Sequence, residues 1–405
     1  MDIEIRTIAE DEFEAWMHAI ETAFGGHVRP EDVQLERTVL DPARCLAAID
    51  DGEIVGCASS VIFSMTLPGG AAVPTVGVTG VGVKPTHRRR GVNTGLMRRQ
   101  LDDARQSGET VAALFASEGG IYGRFGYGLA SLGAAVDLET ARSAFVPGAE
   151  PTGRVRMLDR DAARDQILSV YDRARPTRPG VMAMDRSWFD YQFADKRWGE
   201  ERRLFFAVHD TGGGPDGFAV YHVKSNWDES IPKNVLDLYA LDALAPDAYA
   251  SMWRFVLDVD LIQRVTAWGR PSDEPLFHLL REPRRMNLRM KDALWVRLVD
   301  LPAALAARRY AVEGRIIFEV RDAFCSWNDS RYELHAGPDG ASCRSTGDAA
   351  DLVLTVNELA AAYLGGSTLL QLHRAGRVHE ERAGALALAD AMFRWDPAPW
   401  CPLFF

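Results

Sequence analysis

The chain has 405 residues, more than one hydrophobic core usually serves, so its length predicts two or three domains. Hydrophobic residues make up 47% and charged residues 25% of the sequence, which is ordinary for a folded globular protein and excludes disorder over most of the length. Its 46 basic and 57 acidic residues give a formal net charge of −11, so we expect no nucleic-acid partner and only a local anion site.

Cysteine usage and hydropathy limit the protein further. The five cysteines are Cys45, Cys57, Cys325, Cys343 and Cys401; they are scattered and form no CxxC pair, so the sequence predicts neither a metal site nor a disulfide framework. The acidic N-terminal segment lacks the apolar run of a signal peptide, and no stretch reaches the roughly 18 to 20 apolar residues of a membrane span. We therefore expect a reduced, cytoplasmic protein.

Residues 1–138 are predicted to form a first αβ domain. Gly25-Gly26 ends its first helix, and Asp51-Gly52 is a turn signal between two strands. The predicted elements are a strand at 2–7, a helix at 11–24, strands at 44–50, 53–62 and 73–83, a helix at 92–106, a strand at 111–115, a short helix broken by glycines within 119–128 and a strand at 130–136.

Residues 139–290 are predicted to repeat this order in degenerate form, after a linker at 139–153. The predicted elements are a helix at 162–174, strands at 204–209, 217–223 and 235–240, a helix at 246–259 and a strand at 265–268. Because this repeat has no counterpart of the Arg-rich turn at 88–91, we expect it to bind nothing at that turn.

Residues 291–405 are predicted to form a third, αβ domain. Its elements are a strand and a helix within 295–310, strands at 314–321, 332–336 and 352–355, and helices at 356–364 and 380–392. The last ten residues, DPAPWCPLFF, are apolar where a frayed terminus normally carries charges. The sequence therefore predicts a buried tail.

The clearest chemical pattern is an alternating strand that runs through three arginines and a glycine into a helix, over residues 76–100. The N–H groups and the positive dipole end of a helix N-terminus bind phosphate. Gly91 permits a close approach of backbone to phosphate, and Arg89 and Arg90 can add charge-assisted hydrogen bonds. The alternative interpretation is a solvated basic turn.

A second pattern, LFASEGGIYGRFGYG, follows about 25 residues later. Ser117 and Glu118 come where a strand ends, and Tyr122 falls on the first turn of a short helix. Tyr122 is either an aromatic packed with Phe125 and Tyr127 or a general acid. A phenol with a pKa near 10 is suited to protonate a departing thiolate.

The strand-RxxGx[GA]-helix arrangement resembles the acetyl-CoA motif of the GNAT superfamily of N-acetyltransferases, with Asn93 in place of the final Gly or Ala. Together with ASEGGIYGRFGYG, the second repeat and the C-terminal domain, it makes the whole chain resemble the Eis (enhanced intracellular survival) family. The resemblance implies a mixed α/β fold: two tandem GNAT-like domains, the second degenerate, followed by a sterol-carrier-protein-type domain whose C-terminus reaches the active site.

The resemblance also implies an activity and a set of site residues. It implies an acetyl-CoA-dependent, metal-free homohexamer that acetylates primary amines of a small polyamine-type substrate, with Tyr122 as general acid and the α-carboxylate of Phe405 as general base. Burial of the tail would raise the pKa of that carboxylate from its usual value near 3.5. The implied acetyl-CoA-binding residues are Val81, Gly82, Val83, Arg89, Arg90, Gly91, Val92, Asn93, Thr94, Ser117 and Glu118.

The choice of substrate is left open. Phe24 and residues 26–38 are candidate pocket walls, with Glu31, Asp32 and Glu36 either binding amines or lying in a solvated loop. Cys401 is neutral where an acidic residue would help to bind a polycation such as an aminoglycoside. Two other functions are alternatives: a non-catalytic lipid carrier that uses the C-terminal domain, and an acyltransferase that uses another acyl-CoA, as N-myristoyltransferases do.

Overall fold

A computed structural model describes residues 3–197 and 200–405. In chain order its strands are β1 (Glu4–Thr7), β2 (Cys45–Asp50), β3 (Glu53–Thr66), β4 (Ala72–Val83), β5 (Val111–Phe115), β6 (Gly128–Leu129), β7 (Leu132–Glu139), β8 (Arg154–Leu158), β9 (Lys196–Arg197), β10 (Glu200–Glu201), β11 (Leu204–Asp210), β12 (Pro215–Lys224), β13 (Trp227–Asp228), β14 (Ile231–Pro232), β15 (Asn234–Ala243), β16 (Ile262–Pro271), β17 (Arg289–Asp292), β18 (Leu294–Leu298), β19 (Gly314–Arg321), β20 (Ser330–Gly337), β21 (Gly340–Ser345), β22 (Leu352–Thr355) and β23 (His379–Glu380). Its helices are α1 (Phe13–Phe24), α2 (Pro30–Glu36), α3 (Val92–Gln106), α4 (Arg160–Ala174), α5 (Arg186–Gln192), α6 (Pro246–Leu257), α7 (Leu276–Leu279), α8 (Leu301–Ala307), α9 (Val356–Ala362), α10 (Leu369–Arg374) and α11 (Ala385–Phe393).

The chain divides into two compact units. The first comprises the residues up to Ala130, Leu294–Asp396 and Phe404–Phe405, and the second comprises Ser131–Ala293 and Pro397–Leu403. The first repeat, the C-terminal domain and the last two residues therefore belong to one unit.

The first unit is built on a seven-stranded sheet in the order β1-β2-β3-β4-β5-β18-β6, in which β4 and β5 are the parallel pair. Side chains alternate between the two faces of a strand. Along β2, Cys45 and Ala47 pack in one apolar cluster with α1, whereas Leu46 and Ala48 pack in another with the start of α3. The two helices therefore cover opposite faces of this sheet.

Two strands lie in a different sheet from the one that the sequence predicts. The strand predicted at 130–136 as the last of the first domain is β7, and it pairs with β16 and β17 in the second unit. Its place beside β5 is taken by β18, the strand predicted within 295–310 as the first of the third domain. The alternation of apolar residues identifies a strand but not its neighbour, because the exposed backbone edges of the two sheets offer the same hydrogen-bonding groups.

The second unit repeats the plan of the first. Its seven-stranded sheet runs β17-β7-β16-β15-β12-β11-β8, and β15 and β16 form a parallel pair connected by α6. Pro246 opens α6 at a position where its missing N–H costs nothing. The helix then buries Met252, Trp253 and Val256 against the sheet.

The C-terminal domain has a five-stranded sheet in the order β21-β20-β19-β22-β23. Aromatic rings fill the space beside β19: Phe393 of α11 lies 5.1 Å from Tyr310 and 6.0 Å from Phe318, measured between ring centroids. Arg308 is also fully buried there and donates to the backbone carbonyls of Tyr363 and Phe393.

Two local predictions differ from the structure. The segment at 26–38 contains the helix α2, which Pro30 opens, rather than only loop. The helix predicted at 380–392 begins at Ala385, because Gly384 adopts a left-handed conformation (φ 84°) as its N-cap and β23 precedes it. No helix in residues 3–197 or 200–405 combines the length and apolar character that a membrane span requires.

Candidate active site

The first sheet opens between β4 and β5. The two strands pair in parallel only at Thr75↔Val111, Val76↔Ala112 and Gly77↔Ala113, although β4 continues to Val83 and β5 to Phe115. On its other edge β4 stays paired with β3 up to Val83, with an irregularity where Gly80 has a positive φ of 59°. The last residues of β4 therefore line a cleft with backbone groups that β5 does not use.

The turn after β4 leads into α3 with two residues in the left-handed region. Arg89 has φ 63°, and Gly91, the N-cap of α3, has φ 82° with no side-chain cap. A Cβ at Gly91 would meet nothing within 4 Å, so its backbone conformation, rather than crowding by the protein, requires glycine. The first N–H groups of α3 thus lie at an open turn, where an anion can bind them.

Asp50, at the end of β2, holds this turn. Its carboxylate lies 3.2 Å from Nε2 of His87 and 3.7 Å from Nη1 of Arg90. Arg88 turns away and donates to the carbonyl of Ala23 at 3.4 Å. Sequence reasoning missed Asp50, because only the pairing of β2 with β3 brings it to the turn.

The predicted cofactor residues fall at three places around this cleft: the end of β4, the turn with the start of α3, and the segment after β5. Asn93, which departs from the motif, is half-buried, and its Oδ1 has no hydrogen-bond partner within the described chain. The exposed members are Arg89, Arg90, Gly91, Thr94, Ser117 and Glu118; Val81, Gly82, Val83 and Asn93 are half-buried, and Val92 is buried.

Tyr122 begins a 3-10 helix at Tyr122–Phe125 and is buried. Its ring forms edge-to-face contacts with Phe125 and Tyr127 at centroid distances of 6.5 Å and 5.9 Å. Burial raises the pKa of the Tyr122 phenol to about 12, so it keeps its proton at neutral pH. The packed aromatic and the proton donor are therefore compatible descriptions of one residue.

Asn357 of α9 fixes the segment that carries Tyr122. Its Nδ2 donates to the carbonyl of Gly123 at 2.7 Å and to that of Tyr127 at 2.8 Å. Gly128 lies so close to α9 that a Cβ there would be 2.0 Å from the carbonyl oxygen of Asn357. The dense glycines of GRFGYG thus permit close contact with α9, and no local pattern in the sequence points to Asn357 itself.

The last two residues pack on the other face of the diverging strands. The ring of Phe405 is buried, with its centroid 4.8 Å from that of Phe63 and 5.4 Å from that of Phe115, and Phe404 lies 4.9 Å from Phe115. A Cβ at Gly77 would come within 3.1 Å of the Phe405 ring. The predicted burial of the tail is confirmed, but Trp400 and Leu403 belong to the second unit.

Tyr122 and Phe405 thus lie on opposite sides of the opening in the sheet. Tyr122 packs in one apolar cluster with Val76 and Val78, whereas Phe405 contacts the position of Gly77 between them. Because successive residues of a strand point to opposite faces, the two groups flank β4 from its two faces.

The carboxylates near the candidate pocket wall differ from the set that the sequence indicates. Phe24 is 58% exposed at the end of α1, and Glu31 is exposed on α2. Asp32 is paired with Arg29 at 3.3 Å, which reduces its value for binding an amine. Burial raises the pKa of Glu21, a half-buried carboxyl on α1 that sequence reasoning missed.

Comparison with known proteins agrees with this architecture. Two family models described as acetyltransferase (GNAT) domain match residues 4–130 and 180–298, and one described as sterol carrier protein domain matches residues 301–402. The predicted fold of two GNAT domains followed by a sterol-carrier-type domain is thereby confirmed.

Full-length relatives identify the family. The N-acetyltransferase Eis of Mycobacterium tuberculosis is 32% identical over 98% of both chains, and an uncharacterized N-acetyltransferase of Streptomyces coelicolor is 43% identical over 99% of both. The crystal structure of Eis1 from Mycobacterium abscessus has a TM-score of 0.86 and 32% identity, and covers 99% of this chain and 100% of its own. The chain belongs to the Eis family of GNAT N-acetyltransferases.

Proposed function

We propose that this N-acetyltransferase uses acetyl-CoA to acetylate a primary amine of a small polyamine-type substrate by direct attack. The amine nitrogen bonds to the thioester carbonyl carbon and the carbon–sulfur bond breaks. Tyr122 gives its phenolic proton to the departing sulfur, and the α-carboxylate of Phe405 takes the amine proton. Solvent exchange then returns a proton to Tyr122 and removes one from Phe405, which restores both groups.

The observation that carries this proposal is the position of Tyr122 and Phe405 on opposite faces of the opening between β4 and β5. Direct transfer needs a donor on the side of the leaving thiolate and an acceptor on the side of the incoming amine. A phenol with a pKa of about 12 is fully protonated before each turnover. The ring of Phe405, which bears the terminal carboxylate on the same residue, packs against Phe63 and Phe115 and is thereby held beside these strands.

Acetyl-CoA binding is attributed to the β4 end, the 88–91 turn and the segment after β5. In this proposal the backbone groups of Val81, Gly82 and Val83 that point away from β3 hold the pantetheine arm. The open N-terminus of α3, with Arg89 and Arg90, holds the pyrophosphate. The residues of the third contact, Ser117 and Glu118, follow the parallel strand.

The lipid-carrier alternative finds less support. Tyr310, Phe318 and Phe393 occupy the space beside the C-terminal sheet, and the Arg308 guanidinium makes that interior polar. A hydrocarbon chain would have to displace these rings.

We further propose a cytoplasmic homohexamer with an amine acceptor of the aminoglycoside type among its substrates. These points rest on family membership. A monomer in sedimentation equilibrium would contradict the assembly.

A pair of glycine substitutions tests cofactor binding. Gly91 and Gly108 both have positive φ, 82° and 74°, and both face open space, but they lie at opposite ends of α3. Gly91→Glu should abolish acetyl-CoA binding in isothermal titration, because it adds strain and a negative charge where the pyrophosphate would bind. Gly108→Glu adds similar strain at the other end and should bind normally. Equal binding by the two variants would contradict the proposed cofactor site.

The acyl group and the acceptor are tested by thiol release with purified protein. Acetyl-, butyryl- and myristoyl-CoA are each offered with a panel of mono-, di- and polyamines. We expect acetyl-CoA with a polyamine to give the highest kcat/KM. Preference for the longest chain would favour the acyltransferase alternative, and no release with any pair would contradict the proposed reaction.

A further inference from the structure

The second unit contains a cavity of about 670 Å³, within the range of about 300–1,000 Å³ that small-molecule sites occupy. It lies where β15 and β16 diverge: their parallel pairing extends from Asn234↔Ile262 to Leu238↔Ala267, whereas β15 continues to Ala243 and β16 to Pro271. Residues of both diverging ends, Ala243 and Pro271 among them, line the cavity.

The cavity differs from an acetyl-CoA site. The helix that follows β15 opens with Pro246, which has no N–H, and has the acidic Asp247 in its first turn. Both features disfavour a pyrophosphate at this helix N-terminus. The residues of this turn are therefore unsuited to hold a cofactor phosphate. The cavity beside the turn is nevertheless large enough for a small molecule.

Cationic side chains outnumber acidic ones around the cavity, in a chain whose formal net charge is −11. Asp242 is the acidic residue among the described residues that line it, and the arginines are Arg173, Arg175, Arg178 and Arg270.

Two of these arginines are neutralised by carboxylates. Arg270 pairs with the buried Glu274 at 2.8 Å, and Arg178 pairs with Asp273 at 2.7 Å. They support the wall of the cavity rather than offering free charge to a ligand.

Arg173 and Arg175, at the end of α4, carry charge that is poorly compensated. Arg173 donates to the carbonyl of Pro215 at 2.9 Å, a neutral partner. The carboxylate of Asp172 is 3.8 Å from Nε of Arg175, beyond hydrogen-bonding distance, and that Nε is buried without a hydrogen-bond partner in the described chain. Such a donor is costly unless a ligand or water satisfies it.

Another part of the lining, around Trp400, is apolar and is fixed by contacts within the protein. Trp400 donates from Nε1 to the carbonyl of Gly269 at 2.6 Å and from its backbone N–H to Pro179 at 2.9 Å. The guanidinium of Arg270 lies 5.3 Å from its ring centroid. Tyr171, Leu279 and prolines continue this surface. Because these contacts already fix the Trp400 ring, its ordering should add little to the cost of binding.

We propose that this cavity binds a small organic anion, a carboxylate or phosphate monoester on an aromatic or aliphatic body, with Arg173 and Arg175 holding the anionic group and Trp400 packing on the body. A polyamine is disfavoured here by the same charges. The site is additional to the acetyl-transfer reaction, and its occupancy does not depend on the mechanism proposed above.

A charge series of naphthyl compounds tests the proposal by isothermal titration of the full-length protein. The probes are 2-naphthoate, 2-naphthyl phosphate, neutral 2-naphthol and cationic 2-naphthylmethylamine. At least one anion should bind about tenfold or more tightly than 2-naphthol, as a charge-assisted hydrogen bond provides, and the amine should bind most weakly. The comparison of the two anions distinguishes carboxylate from phosphate recognition.

The double variant R173Q/R175Q should weaken binding of the preferred anion by about tenfold or more. Arg186→Gln is the matched control, because Arg186 is an exposed arginine that pairs with Asp165 outside the cavity. All variants should keep wild-type circular dichroism and amine-dependent thiol release. The proposal is overturned if 2-naphthol binds as tightly as the anions, if no anion binds at millimolar concentration, or if R173Q/R175Q binds like the control.

Discussion

Adding two glycines after Phe405 would separate the terminal charge from the ring that positions it. The Phe405 ring is buried against Phe63 and Phe115, so we expect it to stay seated when the chain is lengthened. Each added residue carries the carboxylate up to about 3.5 Å further. A general base must lie within about 2.6–3.2 Å of the heavy atom whose proton it removes, or reach it through one water. Two residues therefore take the charge out of reach and leave a neutral amide in its place.

The size of the effect separates catalysis from packing. Loss of a general base should lower kcat by about 10²- to 10⁴-fold, or about 3–5 kcal/mol of transition-state stabilisation. Phe405→Leu keeps the carboxylate and loses ring contacts of about 0.5–1.5 kcal/mol each. Its loss in kcat should therefore be the smaller of the two, about tenfold at most if one such contact misplaces the base.

The assay is thiol release at saturating acetyl-CoA and amine, with folding checked by circular dichroism. The matched control carries the same two glycines after Gly213, in an exposed turn of the second unit. Turnover equal to that of the native-ended protein in the extended variant would refute the terminal carboxylate as base. The acceptor would then be a side chain or water.

Three further variants test other parts of the first unit. Tyr122→Phe keeps the ring but removes the proton, so kcat should fall by about 10²-fold or more with KM for acetyl-CoA nearly unchanged. Because the pKa of Tyr122 is about 12, wild-type kcat at saturating amine should show no alkaline fall below about pH 10. A fall with an apparent pKa near 9 would have to be assigned to another group. Asn357→Ala removes both hydrogen bonds to the Tyr122 segment and should lower kcat; added to Tyr122→Phe it should lower it no further, because the residue acts through Tyr122, whereas additive losses would indicate a different role. Asp322→Asn breaks the buried pair with Arg297 and should cost about 3–5 kcal/mol in urea unfolding, while Glu319→Gln, in a more exposed pair, should cost less than about 1 kcal/mol; similar costs would contradict the contrast in burial.

The sequence predicts best those elements whose limits are set by local chemistry. The helix predicted at 92–106 and the strand at 111–115 match α3 and β5 in both bounds. Gly91 begins the helix because its backbone adopts a positive φ, and apolar spacing carries it to Gln106. The 88–91 turn of the candidate site, which directly precedes α3, could be predicted for the same reason.

Features that depend on distant partners could not be predicted in this way. Asn357 lies more than 200 positions along the chain from Gly123. In the sequence it looks like any other polar residue in the first turn of a helix. The exchange of β7 and β18 is invisible because each has the alternation of a strand. Only the family resemblance gave Phe405 a role, since apolar residues at a terminus predict burial but not the surface that buries them.

The parallel pairs β4–β5 and β15–β16 share a geometry but differ in the residues around it. In the first unit β4 and β5 diverge beside a helix whose N-cap is Gly91, and in the proposed function the backbone N–H groups at this opening hold the phosphates of acetyl-CoA. In the second unit β15 and β16 also diverge, but Pro246 and Asp247 remove that property. The divergence is a property of the sheet and is present in both units, whichever residues begin the following helix. A repeat without a counterpart of the 88–91 turn thus still has a cavity, and the side chains around the cavity decide which ligand it can bind.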